Sequence, residues 1–338
     1  MIAMKSKDIN LAAEIGGYFG LDLPDYGDAF PEEVKFQSGR AALRAVLEVA
    51  GIKRIMLPAY ICDSVIQAVV DTGAVVETYG LDDSLYPKRL PNKFPEKCFL
   101  LYVNYFGFCD ANVTRLLRDI PSNQLIVDNS QALFALPTNA LATIYSPRKF
   151  IGIPDGGLLV TSGLEIKVPE HEDMDSLGRM RHLLLRMAYT AQDGYPDYIE
   201  SEDSLSNTKP LRMSRLTRRL LASIDMGTVK RQRRANFQTL AASLDKYNQH
   251  KWTLDFETVP LCYPLVMDRY VEKLKKSLIE KGIYIPTYWP ETKLRVQLDS
   301  IEHRLTNCCL AVPCDQRYSP GQMSRLADEI VSGFDMGE

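Results

Sequence analysis

One lysine stands between an apolar run and a Gly-Gly turn in the stretch Ile144-Tyr145-Ser146-Pro147-Arg148-Lys149-Phe150-Ile151-Gly152-Ile153-Pro154-Asp155-Gly156-Gly157. Upstream, a second apolar run ends in a carboxylate and a polar turn, Leu125-Ile126-Val127-Asp128-Asn129-Ser130-Gln131-Ala132. A strand that ends in an aspartate, followed by a lysine at the end of a later strand, supplies the two groups that pyridoxal phosphate (PLP) requires. Lys149 would form the Schiff base, and Asp128 would hold the proton on the pyridine nitrogen that makes the ring an electron sink.

The charge of Lys149 supports this interpretation, because Arg148 is its direct neighbour. Two adjacent cations cannot both be buried at a low cost in free energy. One is expected to face solvent or a phosphate, and the other loses its charge when it forms an imine. The alternatives are an ordinary surface lysine beside an arginine and, for Asp128, a turn residue at a strand end.

The triplet Ser38-Gly39-Arg40 precedes the first clear helical pattern. A serine N-cap followed by glycine leaves backbone N–H groups free to face an anion, and the helix dipole adds to the attraction. Alone, the triplet favours an ordinary capped helix; with Asp128 and Lys149 it favours a phosphate-binding cup. Gln131 would hydrogen-bond the phenolic oxygen of the cofactor or only the loop backbone. Ser146 would hydrogen-bond the phosphate or only begin a turn.

The pattern over residues 35–161 alternates between strands and helices. The predicted strands cover residues 54–57, 74–79, 98–104, 124–128, 142–145 and 157–161, and the predicted helices cover 40–50, 63–72 and 110–119. This alternation predicts an α/β fold with a mostly parallel central sheet and helices on both of its faces. Ligands of such sheets collect beyond the carboxyl ends of the strands, where Asp128 is expected to lie.

The pattern changes after residue 161. Residues 193–210 are polar and contain two prolines, which predicts a long loop, and residues 212–246 predict one or two long helices. An apolar stretch at 259–267, helices at 271–281 and 320–333 and a strand at 284–287 predict a small α+β domain. We therefore expect a large PLP-binding domain over residues 1–245, with an interface loop and helices, and a small domain over 246–338.

Composition narrows the class of protein. The chain has 338 residues, of which 46% are hydrophobic, and a net charge of -3, which favours neither a nucleic-acid partner nor a membrane surface. No apolar run approaches the roughly 18 residues of a membrane-spanning helix, and no apolar signal-peptide core precedes the first charges. The seven cysteines form no Cys-x-x-Cys pair and the four histidines show no ligand spacing. We therefore expect reduced thiols, no metal site and a cytoplasmic protein.

A basic segment, residues 209–234, carries nine cations against one acid, Asp225. Three interpretations stay open: a solvated helix face, contact of one or two arginines with a diphosphate, and a nucleic-acid surface. The segment contains no aromatic residue that could stack on bases, which disfavours the third.

Taken together, these motifs resemble those of the DegT-type (StrS-type) sugar-nucleotide aminotransferases, which have the PLP-dependent aspartate-aminotransferase-like fold (fold type I). The resemblance covers about residues 36–326. Ser38-Gly39-Arg40-Ala41-Ala42-Leu43 is similar to the phosphate-loop motif of the family, Asp128 to Ala132 to its aspartate motif, and Lys149 to Gly157 to its lysine motif.

The chain also departs from the family pattern. Arg40 stands where threonine is usual, Ile144 where serine is usual, and Pro210 where the family places an asparagine that reaches the neighbouring subunit. Cys62 stands near the position of the aromatic residue that stacks on the PLP ring, and Tyr60 would take that role. The resemblance therefore implies a rebuilt phosphate grip that includes Arg40.

The resemblance implies a PLP-dependent transaminase in which Lys149 and Asp128 are catalytic. The amino donor would be glutamate, and the acceptor a keto sugar on a nucleoside diphosphate, in surface-polysaccharide or amino-sugar biosynthesis. It also implies a homodimer in which both subunits build each site. Two alternatives stay open: another PLP chemistry on a sugar, such as elimination or dehydration, and a catalytically weak regulatory relative.

Overall fold

A seven-stranded sheet forms the centre of the computed structural model, which describes residues 16–91, 93–206 and 209–334. Its strands are β1 (Val34–Phe36), β2 (Arg54–Pro58), β3 (Val75–Tyr79), β4 (Cys98–Val103), β5 (Leu125–Asn129), β6 (Ala142–Tyr145) and β7 (Gly157–Thr161). The spatial order is β1-β7-β6-β5-β4-β2-β3. The pairs from β3 to β6 are parallel, and β7 pairs antiparallel with both β6 and β1. The predicted α/β fold with a mostly parallel sheet is confirmed.

The helices predicted between the strands are present. They are α1 (Gly39–Val49), α2 (Asp63–Val70) and α3 (Asp110–Asp119). Helix α1 packs against β6 and β7, α2 against β3, and α3 against β5. Helix α1 begins at Ser38 because the serine hydroxyl accepts the N–H of Ala41 at 3.1 Å, which satisfies one of the free donors of the first turn.

Five helices follow the sheet. They are α4 (Ser176–Arg179), α5 (Arg181–Ala188), α6 (Tyr195–Ser204), α7 (Arg215–Ala222) and α8 (Met226–Leu244). The prediction of one or two helices over residues 212–246 is confirmed, and the structure has two, α7 and α8. The loop predicted for residues 193–210 is wrong over most of its length, because α6 occupies ten of those residues. Pro196 stands in the first turn of α6, where a missing N–H costs nothing.

The C-terminal part adds a two-stranded antiparallel sheet and three helices. These are β8 (Tyr263–Val266), β9 (Cys309–Val312), α9 (Glu272–Glu280), α10 (Ile301–Asn307) and α11 (Pro320–Ser332). The strand predicted at 284–287 is wrong; Pro286 lies inside that range and cannot donate to a ladder. Helix α8 packs against α11, and its Phe237, Leu240 and Leu244 belong to the apolar core of this part. The predicted division into residues 1–245 and 246–338 stays a prediction.

No helix within the described ranges has both the length and the hydropathy that crossing a bilayer requires.

Candidate active site

A cavity of about 630 Å³ lies where β5 and β6 end and α1 begins. Six of the eight site residues predicted from the sequence line it: Ser38, Gly39, Arg40, Asp128, Ser146 and Lys149. The cavity follows from the topology, since parallel neighbours such as β5 and β6 end at the same edge of the sheet.

Asp128 lies near the end of β5 and is 9% exposed. In the register of the sheet it stands between Val103 of β4 and Ile144 of β6. One carboxylate oxygen, Oδ1, accepts the N–H of Ser130 at 2.8 Å. The other oxygen accepts no hydrogen bond from the described residues. Asp128 therefore has a free acceptor at the wall of the cavity.

Lys149 closes a single 3₁₀ turn, Pro147–Lys149, directly after β6. Its backbone N–H donates to the carbonyl of Ser146 at 3.1 Å, and its side chain is exposed in the cavity. Within the described ranges, its ammonium makes no hydrogen bond or ion pair. Arg148 is held instead by two parallel contacts with Glu202 of α6, one of them 2.7 Å from Nη2 to Oε2. The two adjacent cations are thus separated, and among the described residues Arg148 has a fixed partner whereas Lys149 has none.

The N-terminus of α1 packs closely against the loop that follows Lys149. A Cβ atom on Gly157 would lie 2.2 Å from the carbonyl carbon of Ser38 and 2.5 Å from the backbone nitrogen of Gly39. The N–H of Gly156 donates to the carbonyl of Gln37 at 2.7 Å. A Cβ on Gly39 would lie 3.7 Å from the hydroxyl of Ser130. Because Gly156 and Gly157 carry no side chains, the start of α1 can lie close to the beginning of β7 and to the end of β5.

Arg40 reaches along the cavity wall from the first turn of α1. Its Nη1 donates to the hydroxyl of Ser206 at 3.2 Å. Burial and the neighbouring charge of Arg148 both lower the pKa of Arg40 from its ordinary value. Burial alone would raise the pKa of Glu202, but its hydrogen bond to Arg148 and the charges of Arg148, Arg40 and Lys149 outweigh burial and lower it.

Two predicted residues do not line the cavity. Gln131 is fully buried; its Oε1 accepts the N–H of Phe106 at 2.9 Å, and its Nε2 is buried with no partner among the described residues. Tyr60 is 1% exposed and packs edge-on against Trp289, with 4.6 Å between ring centroids. Tyr60 therefore does not face the cavity in which the PLP ring would lie. Its predicted stacking on that ring stays a prediction.

The cavity wall also contains residues that the sequence did not single out. They include Glu202 and Tyr198 of α6 and, from the C-terminal part, Pro286, Tyr288, Trp289 and Arg317. Trp289 has a left-handed backbone (φ 50°), which is costly for a large side chain. Cys62, at the position expected to carry an aromatic residue, lines the same wall. Only the adjacent Tyr288-Trp289 pair offered a signal in the sequence; Glu202 lay in a segment interpreted as a loop.

A buried polar cluster anchors the loop between Lys149 and β7. Asp155 is fully buried and accepts from the guanidinium of Arg179 at 3.2 Å and from the hydroxyls of Ser176 and Thr217. Burial raises the pKa of Asp155 against the effect of these donors. The cluster connects the loop after the lysine to α4 and α7.

The basic segment 209–234 contributes no residue to the cavity wall. Arg215 pairs with Glu172, and Arg219 donates to the carbonyls of Leu23 and Pro24. Arg233 is 2% exposed, and its guanidinium donates to the carbonyls of Phe150, Pro260 and Leu261 at 3.0–3.1 Å. Within one chain the segment therefore does not reach the cavity, and contact of its arginines with a diphosphate stays a prediction.

The groups around the cavity fit PLP. A carboxylate oxygen and a lysine amine without partners in the part of the chain that the structure describes, a helix N-terminus and Arg40 match the ring nitrogen, the aldehyde and the phosphate of that cofactor. The buried Nε2 of Gln131 is a further donor without a partner among the described residues.

Solved structures resemble this chain over most of its length. CalS13 from Micromonospora echinospora, a sugar aminotransferase, superimposes with a TM-score of 0.62 at 13% identity, over 91% of this chain and 88% of that one. The aminotransferase TlmJ from Streptoalloteichus hindustanus gives 0.62 at 17% identity, over 90% and 86%. DesV from S. venezuelae, solved in complex with a ketimine intermediate, gives 0.61 at 18% identity, over 90% and 85%.

The chain has the fold of the sugar aminotransferases. The predicted fold type I architecture is therefore confirmed. No family model and no curated protein matches the sequence. At identities of 13–18%, the sugar-aminotransferase fold is what the comparison shows, and activity has to be argued from the cavity.

Proposed function

We propose that this chain is a PLP-dependent aminotransferase of the DegT/StrS type that transfers an amino group to a keto sugar. One observation carries the proposal: Asp128 and Lys149 line one cavity at the N-terminus of α1, and among the described residues one Asp128 oxygen and the Lys149 amine have no partner. Each of these groups has an ordinary explanation alone, but together they supply the chemistry that a pyridine aldehyde phosphate needs.

Each residue has a defined task in this proposal. When bound, PLP supplies an electron sink that stabilises negative charge on the substrate carbon. Asp128 keeps the proton on the ring nitrogen, since its free oxygen can accept that N–H. Lys149 anchors the cofactor and, once released, its amine carries the proton between two carbon atoms as general base and acid. Ser38, Gly39, Arg40 and Ser146 would hold the phosphate.

Solved structures of similar fold support a sugar nucleotide as the substrate class. DesI was solved in the presence of its TDP-sugar product, at 16% identity and a TM-score of 0.64 over 90% of this chain and 81% of that one. The Spr1654 protein of Streptococcus pneumoniae was solved in a PLP form and a PMP form. We extend these precedents to a nucleotide-linked keto sugar as acceptor, glutamate as donor, a homodimer and a cytoplasmic role in surface-polysaccharide or amino-sugar biosynthesis.

The experiment that tests the reaction is a stoichiometric half-reaction. The PLP-loaded protein is mixed with excess glutamate, 2-oxoglutarate and ammonia are both quantified, and the small molecules are then removed. Transamination predicts one 2-oxoglutarate per subunit and no ammonia. Subsequent addition of a nucleotide-linked 4-keto sugar should regenerate the PLP form and give an amino sugar; loss of water from the sugar without amination would point to dehydration instead.

A further inference from the structure

The carboxylate of Glu202 lies in the cavity close to three cationic side chains. Glu202, from the last turn of α6, binds the guanidinium of Arg148 through both oxygens, with 2.7 Å between Nη2 and Oε2. Both side chains are largely shielded from solvent, at 19% exposed for Arg148 and 30% for Glu202. Arg40 and Lys149 line the same cavity, so three cations surround one anion.

The groups that surround the Glu202 carboxylate are also of the kind that binds a phosphate. The planar fork of a guanidinium binds a carboxylate and a phosphate by the same two parallel hydrogen bonds. The first turn of α1, with Ser38 and Gly39 on the same wall, favours any anion nearby through its free N–H groups and its dipole. Arg148, which Glu202 binds, therefore lines the same cavity as other groups that favour an anion.

The negative charge of Glu202 is expected to affect the binding of a phosphate in the same cavity. Its pKa lies below the ordinary value because the contacts with Arg148, Arg40 and Lys149 outweigh the effect of burial, so the carboxylate is ionised at neutral pH. A phosphate dianion beside an ionised carboxylate is repelled, and the repulsion is strong where solvent is largely excluded. The two anions cannot share Arg148 without a loss of affinity.

We propose that Glu202 is a built-in competitor for the anion site, so that a phosphorylated ligand must displace it from Arg148, and α6 acts as a latch that opens on binding. The identity of that ligand as PLP rests on the proposed function; the competition for the anion site does not. The opposite role, in which Glu202 holds Arg148 ready for the phosphate, makes the opposite prediction for the sign of the effect.

The test compares Glu202→Gln with Glu200→Gln. Both substitutions remove one negative charge from α6, but Glu200 is exposed and does not line the cavity. Binding of inorganic phosphate and of PLP is measured by calorimetry at low ionic strength, where screening is weak. We expect Glu202→Gln to bind inorganic phosphate roughly tenfold more tightly than wild type, and Glu200→Gln to bind it as wild type does. Unchanged or weaker binding by a folded Glu202→Gln protein would overturn the proposal.

A second measurement keeps the proposal testable if the variant is unstable. Amide hydrogen exchange of the wild-type protein is compared with and without saturating inorganic phosphate. Displacement of Glu202 predicts faster exchange across α6 when phosphate is bound, whereas unchanged or slower exchange contradicts the latch. Inorganic phosphate has no aldehyde, so either result stands even if Lys149 never reacts with PLP. Failure of PLP to give a visible band would count against the proposed function alone.

Discussion

At the scale of single residues, the tightest requirement around the cavity falls on Gly157. Its neighbours are backbone atoms of Ser38 and Gly39, which cannot swing aside as a flexible side chain would. Gly156 adds a positive φ of 123°, which side-chain-bearing residues rarely adopt. The start of α1, and with it the proposed phosphate-binding cup, therefore depends on two adjacent positions without side chains.

We predict that Gly157→Ala lowers the free energy of unfolding by about 1–3 kcal/mol and weakens PLP binding, because the added methyl would overlap backbone atoms of the cup. Gly178→Ala, in helix α4 where nothing lies within 4 Å of the added Cβ, should leave both unchanged or slightly raise stability. Urea unfolding and a PLP titration measure the two effects. Equal stability of Gly157→Ala and wild type would contradict the geometry of this contact.

The sequence predicted the cavity residues that stand at the ends of apolar runs. It missed the cavity residues that other elements bring to the wall through tertiary packing. Asp128 lies near the end of β5 and Lys149 follows its parallel neighbour β6, so their shared edge follows from the topology. Glu202 and Trp289 reach the same cavity from α6 and from the C-terminal part, and no spacing rule connects them to it. Gln131 and Tyr60 lie close in sequence to lining residues but are buried behind the wall.

At the scale of elements, the buried guanidinium of Arg233 connects α8 to the turn that carries Lys149. Besides its three backbone carbonyl partners, it donates to Oε1 of Gln316 at 2.9 Å and stacks 4.6 Å from the ring centroid of Phe150. Burial lowers the pKa of Arg233 from its ordinary value. Since Phe150 follows Lys149 directly, α8 helps to fix the position of the lysine.

We predict that Arg233→Met lowers the free energy of unfolding by about 2–4 kcal/mol, because buried carbonyl groups lose their donors. It should also weaken PLP binding through the turn at Phe150. Arg231→Met removes an exposed cation from the same helix and is the matched control, expected within about 0.5 kcal/mol of wild type. Chemical denaturation provides both values, and a similar small change in the two variants would argue against an anchoring role.

The elements themselves were predictable where the pattern was strong. Apart from β1, which was not predicted, the strands and helices up to residue 161 were anticipated within a few residues, because apolar strands alternate with amphipathic helices. Helix α6 was missed because Tyr195–Ser204 is mostly polar and acidic and buries only Ser201. The strand expected at 284–287 does not form, because Pro286 lies among the apolar residues there and has no N–H to donate. Strand β8 pairs instead with β9 at Cys309–Val312.

At the scale of the whole molecule, large apolar side chains remain exposed on the segment around α4 to α6. These include Met174, Leu177, Leu184, Met187, Tyr189 and Tyr195. Clustered exposed apolar groups mark interaction surfaces more often than scattered ones do. The segment follows the sheet directly in the chain and supplies Glu202 and Tyr198 to the cavity.

We predict that the protein is a homodimer in solution and that this segment contributes to the interface. Sedimentation velocity at micromolar concentration should show a dimer, which Met187→Glu shifts toward monomer by placing a charge in an apolar contact. Phe256→Glu adds the same charge at an exposed apolar residue outside the segment and should leave the dimer intact. A monomeric wild-type protein, or equal effects of both variants, would contradict the prediction.

The measurement that tests the central claim most directly is the visible absorption spectrum of the purified protein with added PLP, before and after glutamate, in wild type and Lys149→Ala. We predict a yellow band in the region of about 420 nm in wild type that bleaches with glutamate, and no such band in the variant, because the proposed function makes Lys149 the amine that reacts with the cofactor. A wild-type protein without the band, or a Lys149→Ala variant that keeps it, would contradict the assignment of this cavity as a PLP site.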